Sequence, residues 1–213
     1  MKNSTTIVYQ VLCLLFIALS IVLFIRLKNV KKTEIMEPIS NKEAVLANIH
    51  ERKSVRDYIP GKEISKEDLE TIVKAGMAAP SGRDARPWEI IVVDQREILD
   101  DMGERLPYAK MLKEAPVAIV VCGDTTQSSY WEIDCSAVTE NILLAVEALG
   151  LGAVWTAAYP YQDRMDVVSE NCKLPENIKP LCVIPMGHVK GEYKPKQKYD
   201  PSKVHYNQWD TAL

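Results

Sequence analysis

The pattern of apolar and polar positions divides the chain into three stretches of different character. From residue 3 to residue 25 no side chain is charged, and residues 6–25 are predominantly apolar. A run of about 20 residues rising ~1.5 Å each spans the ~30 Å hydrocarbon layer of a bilayer. The segment is expected to form one transmembrane helix, an uncleaved anchor. The competing reading is a cleaved signal peptide, for which Ala18-Leu19-Ser20 is a weak processing site; the apolar run continues past it to Ile25. Residues 26–42 read as a basic, polar linker, and residues 43–213 as one domain with a polar C-terminal tail.

Within 43–213 the periodicity alternates between helical and extended spacing. Residues 43–52 suit a short amphipathic helix with Val45, Leu46 and Ile49 on one side. Ser65, followed by Glu67 and Asp68, reads as a capping box that opens a helix to about residue 78, with Leu69, Ile72, Val73 and Met77 as its stripe and Pro80 as its stop. Strands are expected over 88–93, 116–122, 153–157 and 180–186. The second is apolar on both faces and therefore central. The helix over 134–149 carries two apolar faces, one with Val138, Ile142, Ala145 and Leu149, the other with Ala137, Leu144 and Ala148. It must pack on two sides, either within the core or against a partner subunit. A further helix is expected over 164–172. From residue 189 the chain is Lys-rich and weakly periodic, with Val204, Tyr206 and Trp209 suited to wrapping a surface. The expected class is α+β, a mixed α/β three-layer domain with the sheet covered on both faces.

Charge changes this picture in two ways. The overall balance of −3 hides an acidic body: after residue 33 there are 21 basic and 29 acidic residues, a net of −8. That argues against nucleic acid as a main partner. The basic residues Arg26, Lys28, Lys31 and Lys32 follow the apolar run, with only Lys2 before it. The positive-inside bias then predicts a single-pass membrane protein with its domain in the cytoplasm. Five cysteines, none in a C-x-x-C pattern, read as buried free thiols, and no metal-ligand spacing occurs.

Two short stretches carry candidate chemistry. Arg52-Lys53-Ser54-Val55-Arg56 offers three cations and a hydroxyl, groups that bind a phosphate. Alone, it suits the solvated basic end of a helix better. Pro80-Ser81-Gly82-Arg83-Asp84-Ala85-Arg86-Pro87-Trp88 is a turn feeding a strand, and also a backbone platform for a flat ring. Lys194, Lys196 and Lys198 alternate in an extended segment, so they either share one side over a phosphate or form a solvated tail. An anionic tail with a planar head describes flavin mononucleotide (FMN).

In order, these stretches resemble the nitroreductase family of FMN enzymes. The family opens with Arg-(Arg/His)-Ser-x-Arg-x-(Phe/Tyr), here Arg52 to Tyr58. It continues with Ala-Pro-Ser-(Ser/Gly)-x-Asn-x-Gln-Pro-Trp, here Ala79 to Trp88. A later helix with Ala137, Asn141, Ala145 and Leu149-Gly150-Leu151-Gly152 matches a third motif. The resemblance implies an FMN-dependent nitroreductase-like fold, built as an intertwined homodimer with flavins at the subunit interface. It implies that Arg52, Lys53, Ser54 and Arg56 hold the phosphate, ribityl chain and pyrimidine side. Pro80, Ser81 and Gly82 would line the ring, often from the other subunit, with Thr156 and Ala157 beside it and Lys196 and Lys198 near the phosphate. Asp84 replaces the usual Asn and Arg86 the usual Gln. A carboxylate only accepts hydrogen bonds, so Asp84 either faces a flavin N–H or pairs with Arg83 or Arg86.

The implied activity is ping-pong hydride transfer from NADH or NADPH through the flavin to a small electron-poor acceptor, a nitroaromatic or quinone. Arg56 is the candidate stabiliser of the reduced, anionic ring. Reductive dehalogenation or other flavin chemistry on the same fold is the alternative within the family. A membrane-tethered flavin-binding protein without turnover is the alternative outside enzymes.

Overall fold

The computed structural model describes residues 14–21, 24 and 40–209, and the chain divides into two compact units, Met1–Ala44 and Val45–Leu213. The expected single-pass membrane location is overturned. Among the described residues no helix is long and apolar enough to cross a membrane. Residues 14–21 and 24 are helical, but the rest of the expected anchor over 6–25, and linker residues 26–39, lie outside the described residues. The orientation read from the flanking cations falls with that location. The last residues of the first unit form a capping box: Glu43 N–H donates to Ser40 Oγ (3.3 Å), and Ser40 N–H donates back to the Glu43 carboxylate (3.1 Å).

The body follows the order α1 (Asn41–Glu51), α2 (Lys66–Met77), β1 (Trp88–Val93), α3 (Arg96–Arg105), β2 (Val117–Asp124), α4 (Trp131–Ala148), β3 (Gly152–Ala153), β4 (Thr156–Ala157), α5 (Gln162–Cys172) and β5 (Ile178–Gly187). The sheet is antiparallel, in the order β1-β2-β5-β3, with β4 also pairing β5. β2 is buried at every position, as its unbroken apolar run predicts. Its side chains alternate between two cores. Val117, Ile119 and Val121 face a cluster with Ile72 of α2 and Val138 and Ile142 of α4. Ala118, Val120 and Cys122 face a second cluster with Leu99 and Met102 of α3 and Val168 of α5. This gives the expected three layers, and each fully buried Ile or Leu contributes about 1.5–3 kcal/mol to folding.

Most expected elements occur with shifted ends. Ser65 does cap α2, accepting from Asp68 N–H at 3.0 Å. α4 begins a turn earlier than the periodicity suggests, because Trp131 is itself a core residue. The expected strand over 153–157 is two strands broken at Val154–Trp155. The break falls opposite Pro185, which has no N–H for a ladder; its carbonyl instead accepts from Val154 N–H (3.3 Å) and Tyr58 Oη (2.9 Å). Helix α3 is an addition. Six of its ten residues are charged, so its apolar periodicity is faint, yet Leu99 and Met102 are fully buried.

Two apolar stripes are left at least partly exposed among the described residues. Val45, Leu46 and Ile49 of α1 are 58%, 44% and 48% exposed, and α1 has no buried residue. The second face of α4 is partly open, with Ala148 exposed and Ala137 and Leu144 half-buried.

Candidate functional site

The segment after α1 is threaded across the sheet edge. Val55 N–H donates to Ala153 O (2.9 Å), and Ser54 bridges Ala153 in parallel. Val55 and Tyr58 are fully buried, which turns Ser54 and Arg56 outward. The approach is close because Gly152 and Gly187 stand opposite each other beneath it. A β-carbon on Gly152 would lie 2.7 Å from Val55 Cβ, and one on Gly187 would lie 3.1 Å from Tyr58 Cβ.

The chain leaving β5 then returns along the same segment. Ile59 N–H donates to His188 O (2.9 Å), Lys190 N–H donates to Asp57 O (3.0 Å), and Tyr58 bridges Val189. Tyr193 fixes the crossing. It accepts from Arg56 N–H (3.3 Å) and donates to the Asp57 carboxylate. Burial, and then the Asp57 carboxylate, push its phenol above the usual range. The result is a cleft of about 400 Å³ lined by Arg52, Lys53, Ser54, Arg56, Tyr193, Lys194, Lys196 and Lys198. All six expected clamp residues, the four of the first stretch plus Lys196 and Lys198, are brought together there. Among the described residues no carboxylate lines the cleft. Two stand behind it on α4: Glu147 Oε1 lies 2.6 Å from Lys53 Nζ and Glu140 Oε1 lies 3.2 Å from Arg52 Nε.

Arg56 also lines a second cleft, of about 260 Å³, which contains Thr156, Ala157, Trp155, Tyr108 and Arg164. Thr156 Oγ1 donates to Val183 O at 2.6 Å, which holds the β4 edge against β5. Thr156 and Ala157 are therefore joined to the clamp through Arg56.

The platform residues sit elsewhere. Pro80, Ser81, Gly82 and Asp84 line neither cleft within the single chain. Their loop is rigidly held. Gly82 N–H donates to the Asp134 carboxylate (2.9 Å), and Arg86 N–H donates to Ser81 Oγ (3.0 Å). Arg83, Asp84 and Arg86 all have positive φ (55°, 56° and 48°), unusual for residues with a β-carbon. Asp84 pairs with Arg86 through two hydrogen bonds of 2.7 Å, and that pairing lowers the Asp84 carboxyl below its usual range. Of the partners open to Asp84, Arg86 is the one it takes.

Several contributors lack a sequence signal. Tyr193 and Arg164 stand in unpatterned surroundings, and Tyr108 follows a helix with faint periodicity. Asp134 is only 4% exposed and serves the loop 52 residues away. Nothing in the sequence sets it apart from Glu132, Glu140 and Glu147 on the same helix.

The chain belongs to the nitroreductase family, whose model matches residues 49–107 and 104–188. A Methanothermobacter thermautotrophicus protein, provisionally named an NADH dehydrogenase/NAD(P)H nitroreductase, is 39% identical over 85% of this chain and 96% of its own length. A crystal structure of a Bacteroides thetaiotaomicron protein with the same provisional name is 60% identical, with a TM-score of 0.76 over 78% of this chain and 98% of that one. A Clostridium difficile structure described as an FMN-dependent nitroreductase is 31% identical, with a TM-score of 0.73 over 76% of this chain and 99% of that one.

Proposed function

We propose that this protein is an FMN-dependent, NAD(P)H-oxidising oxidoreductase that reduces small electron-poor acceptors such as nitroaromatics or quinones. The observation that carries the reading is the convergence of six cations and a serine hydroxyl on a cleft that no carboxylate lines among the described residues. That donor set fits a phosphomonoester: Arg52 supplies a planar fork, the lysines point charges, and Ser54 a neutral donor. Bound FMN would supply two-electron chemistry, taking hydride from NAD(P)H and passing it to the acceptor.

The chain's own residues supply position and charge. Glu147 and Glu140 hold Lys53 and Arg52 in place. Arg56, reaching both clefts, places a cation where negative charge accumulates on reduction. Thr156 and Ala157 present backbone and small side chains to a flat ring. Pro80, Ser81 and Gly82 stand away from both clefts, which supports their serving a second copy's site. The uncovered stripes of α1 and α4 support a homodimer as the working form.

Purified protein should be yellow, or become so on adding FMN, and NAD(P)H should bleach it under anaerobic conditions. A colourless protein that takes up no flavin overturns the reading. Arg56→Ala should weaken flavin retention at least tenfold, and retention equal to wild type would remove Arg56 from the site.

A further inference from the structure

The second cleft holds a cation for which phosphate binding has no use. Arg164 lies in the first turn of α5. Its guanidinium carbon sits 3.8 Å from the Tyr161 ring centroid and 5.8 Å from that of Tyr108. One of its N–H groups reaches Ala157 O at 3.5 Å, the limit of a hydrogen bond. Arg52, Arg86, Arg96 and Arg105 each pair with a carboxylate, whereas among the described residues no carboxylate lies within 4.0 Å of Arg164.

Stacking and pairing use different parts of a guanidinium. Ring faces cover its flat sides and strip water from them, while the in-plane N–H groups stay free for a bidentate anion. The walls beside it suit an aromatic body. Trp155 is 36% exposed and Tyr108 79% exposed. Tyr108 also has φ of 65°, a conformation that costs a non-glycine residue and that clusters at ligand-binding positions. Thr156 and Ala157 complete the cleft without charge.

We propose that Arg164 is a specificity-determining residue that takes the anionic substituent of a planar aromatic acceptor, with Tyr108 and Trp155 flanking the acceptor's ring. The preferred substrates are then aromatic acids, carboxylates above all. This rests on the oxidoreductase reading above. The same chemistry has a second source, a phosphate of the nicotinamide dinucleotide, and the test separates the two.

Flavin-loaded full-length protein, without reductant, is titrated calorimetrically with 4-nitrobenzoate and with its neutral isostere 4-nitrobenzamide. Wild type should bind the acid about tenfold more tightly than the amide, as a charge-assisted bidentate pair provides. Arg164→Gln should abolish that preference, and Arg164→Lys should keep part of it. An acid-to-amide ratio equal in wild type and Arg164→Gln overturns the proposal. In steady state the ratio of kcat/KM for the two acceptors should fall by the same factor. If Arg164→Gln instead raises KM for NADPH relative to NADH and leaves the acceptor ratio alone, the cation serves the reductant's phosphate and the proposal fails. If no acceptor is reduced at all, the oxidoreductase reading fails, and the calorimetric ratio still decides the role of Arg164.

Discussion

The glycine beneath the cation segment provides a sharp quantitative test. An alanine in a strand is ordinarily better than glycine by about 0.5–1 kcal/mol, because it has less backbone freedom to lose. At Gly152 the sign should reverse. An added β-carbon would stand 2.7 Å from Val55 Cβ and Cγ1 and 2.9 Å from Val189 Cγ2, where ordinary contact begins near 3.4 Å. Val55 Cβ is fixed to the backbone, so no rotamer change relieves it. The backbone would have to move, against the Val55 N–H to Ala153 O bond of 2.9 Å. Overpacking of this kind costs about 1–3 kcal/mol. Gly152→Ala should therefore lower stability by about 2 kcal/mol in denaturant unfolding, at fixed protein concentration and unchanged m-value. Val55→Gly alone should cost about 3 kcal/mol, from lost burial and added chain freedom. The double variant should fall short of additivity by about 2 kcal/mol, because the clash with Val55 has gone and Val189 Cγ2 can turn away by a rotamer change. Ser54 and Arg56 flank Val55, so Gly152→Ala should also weaken FMN binding. A Gly152→Ala protein as stable as wild type, or an additive double variant, refutes this account of the segment's placement.

Three further outcomes follow from buried groups. Asp134→Ala strands the Gly82 N–H and should destabilise by about 2–3 kcal/mol, whereas Asp134→Asn keeps an acceptor and should cost about 1 kcal/mol; equal costs in denaturant melts would show that the loop does not depend on this bond. Burial raises the thiols of Cys135 and Cys182 from 9.0 to about 12 and that of Cys172 to about 11. The folded state then holds protons that the unfolded chain releases, so the thiols' contribution to stability should be level below pH 9 and fall as pH rises above it. At pH 8, peptide mapping after alkylation should show Cys135 and Cys182 labelled only once the protein is unfolded; rapid native labelling would contradict their burial.

The elements legible in the chain were those with strong periodicity or clear punctuation. β2 has eight successive buried positions, and α2 has a capping serine. α3 was not legible, because six of its ten residues are charged, in pairs such as Arg96–Asp100 and Arg105–Asp101, around a short apolar contact of Leu99 and Met102 with Ile98. The clamp was legible by its run of cations, but its meaning came from the order of motifs rather than from composition. The second cleft was hidden for a physical reason. Tyr108, Arg164 and Trp155 come from three separate segments, and nothing local marks their meeting. For the apolar N-terminal run, length and hydropathy alone set the expectation of a membrane location, and no helix among the described residues is long and apolar enough to support it.

The interruption at Val154–Trp155 bears on how the folded protein behaves in a crowded solution. A long unpaired strand edge is a template for another chain's backbone. On this side of the sheet β3 and β4 offer two residues each, out of line with one another, and Ser54 already occupies Ala153. No continuous edge remains there for an intruding strand to copy. Among the described strands that leaves β1, six residues long and paired only to β2, as the open border. Charged Glu89 lies exposed within it and Asp94 just beyond it, where they guard that border, so replacing both with neutral residues should open β1, and not the cleft-bearing edge, to backbone-mediated aggregation on heating.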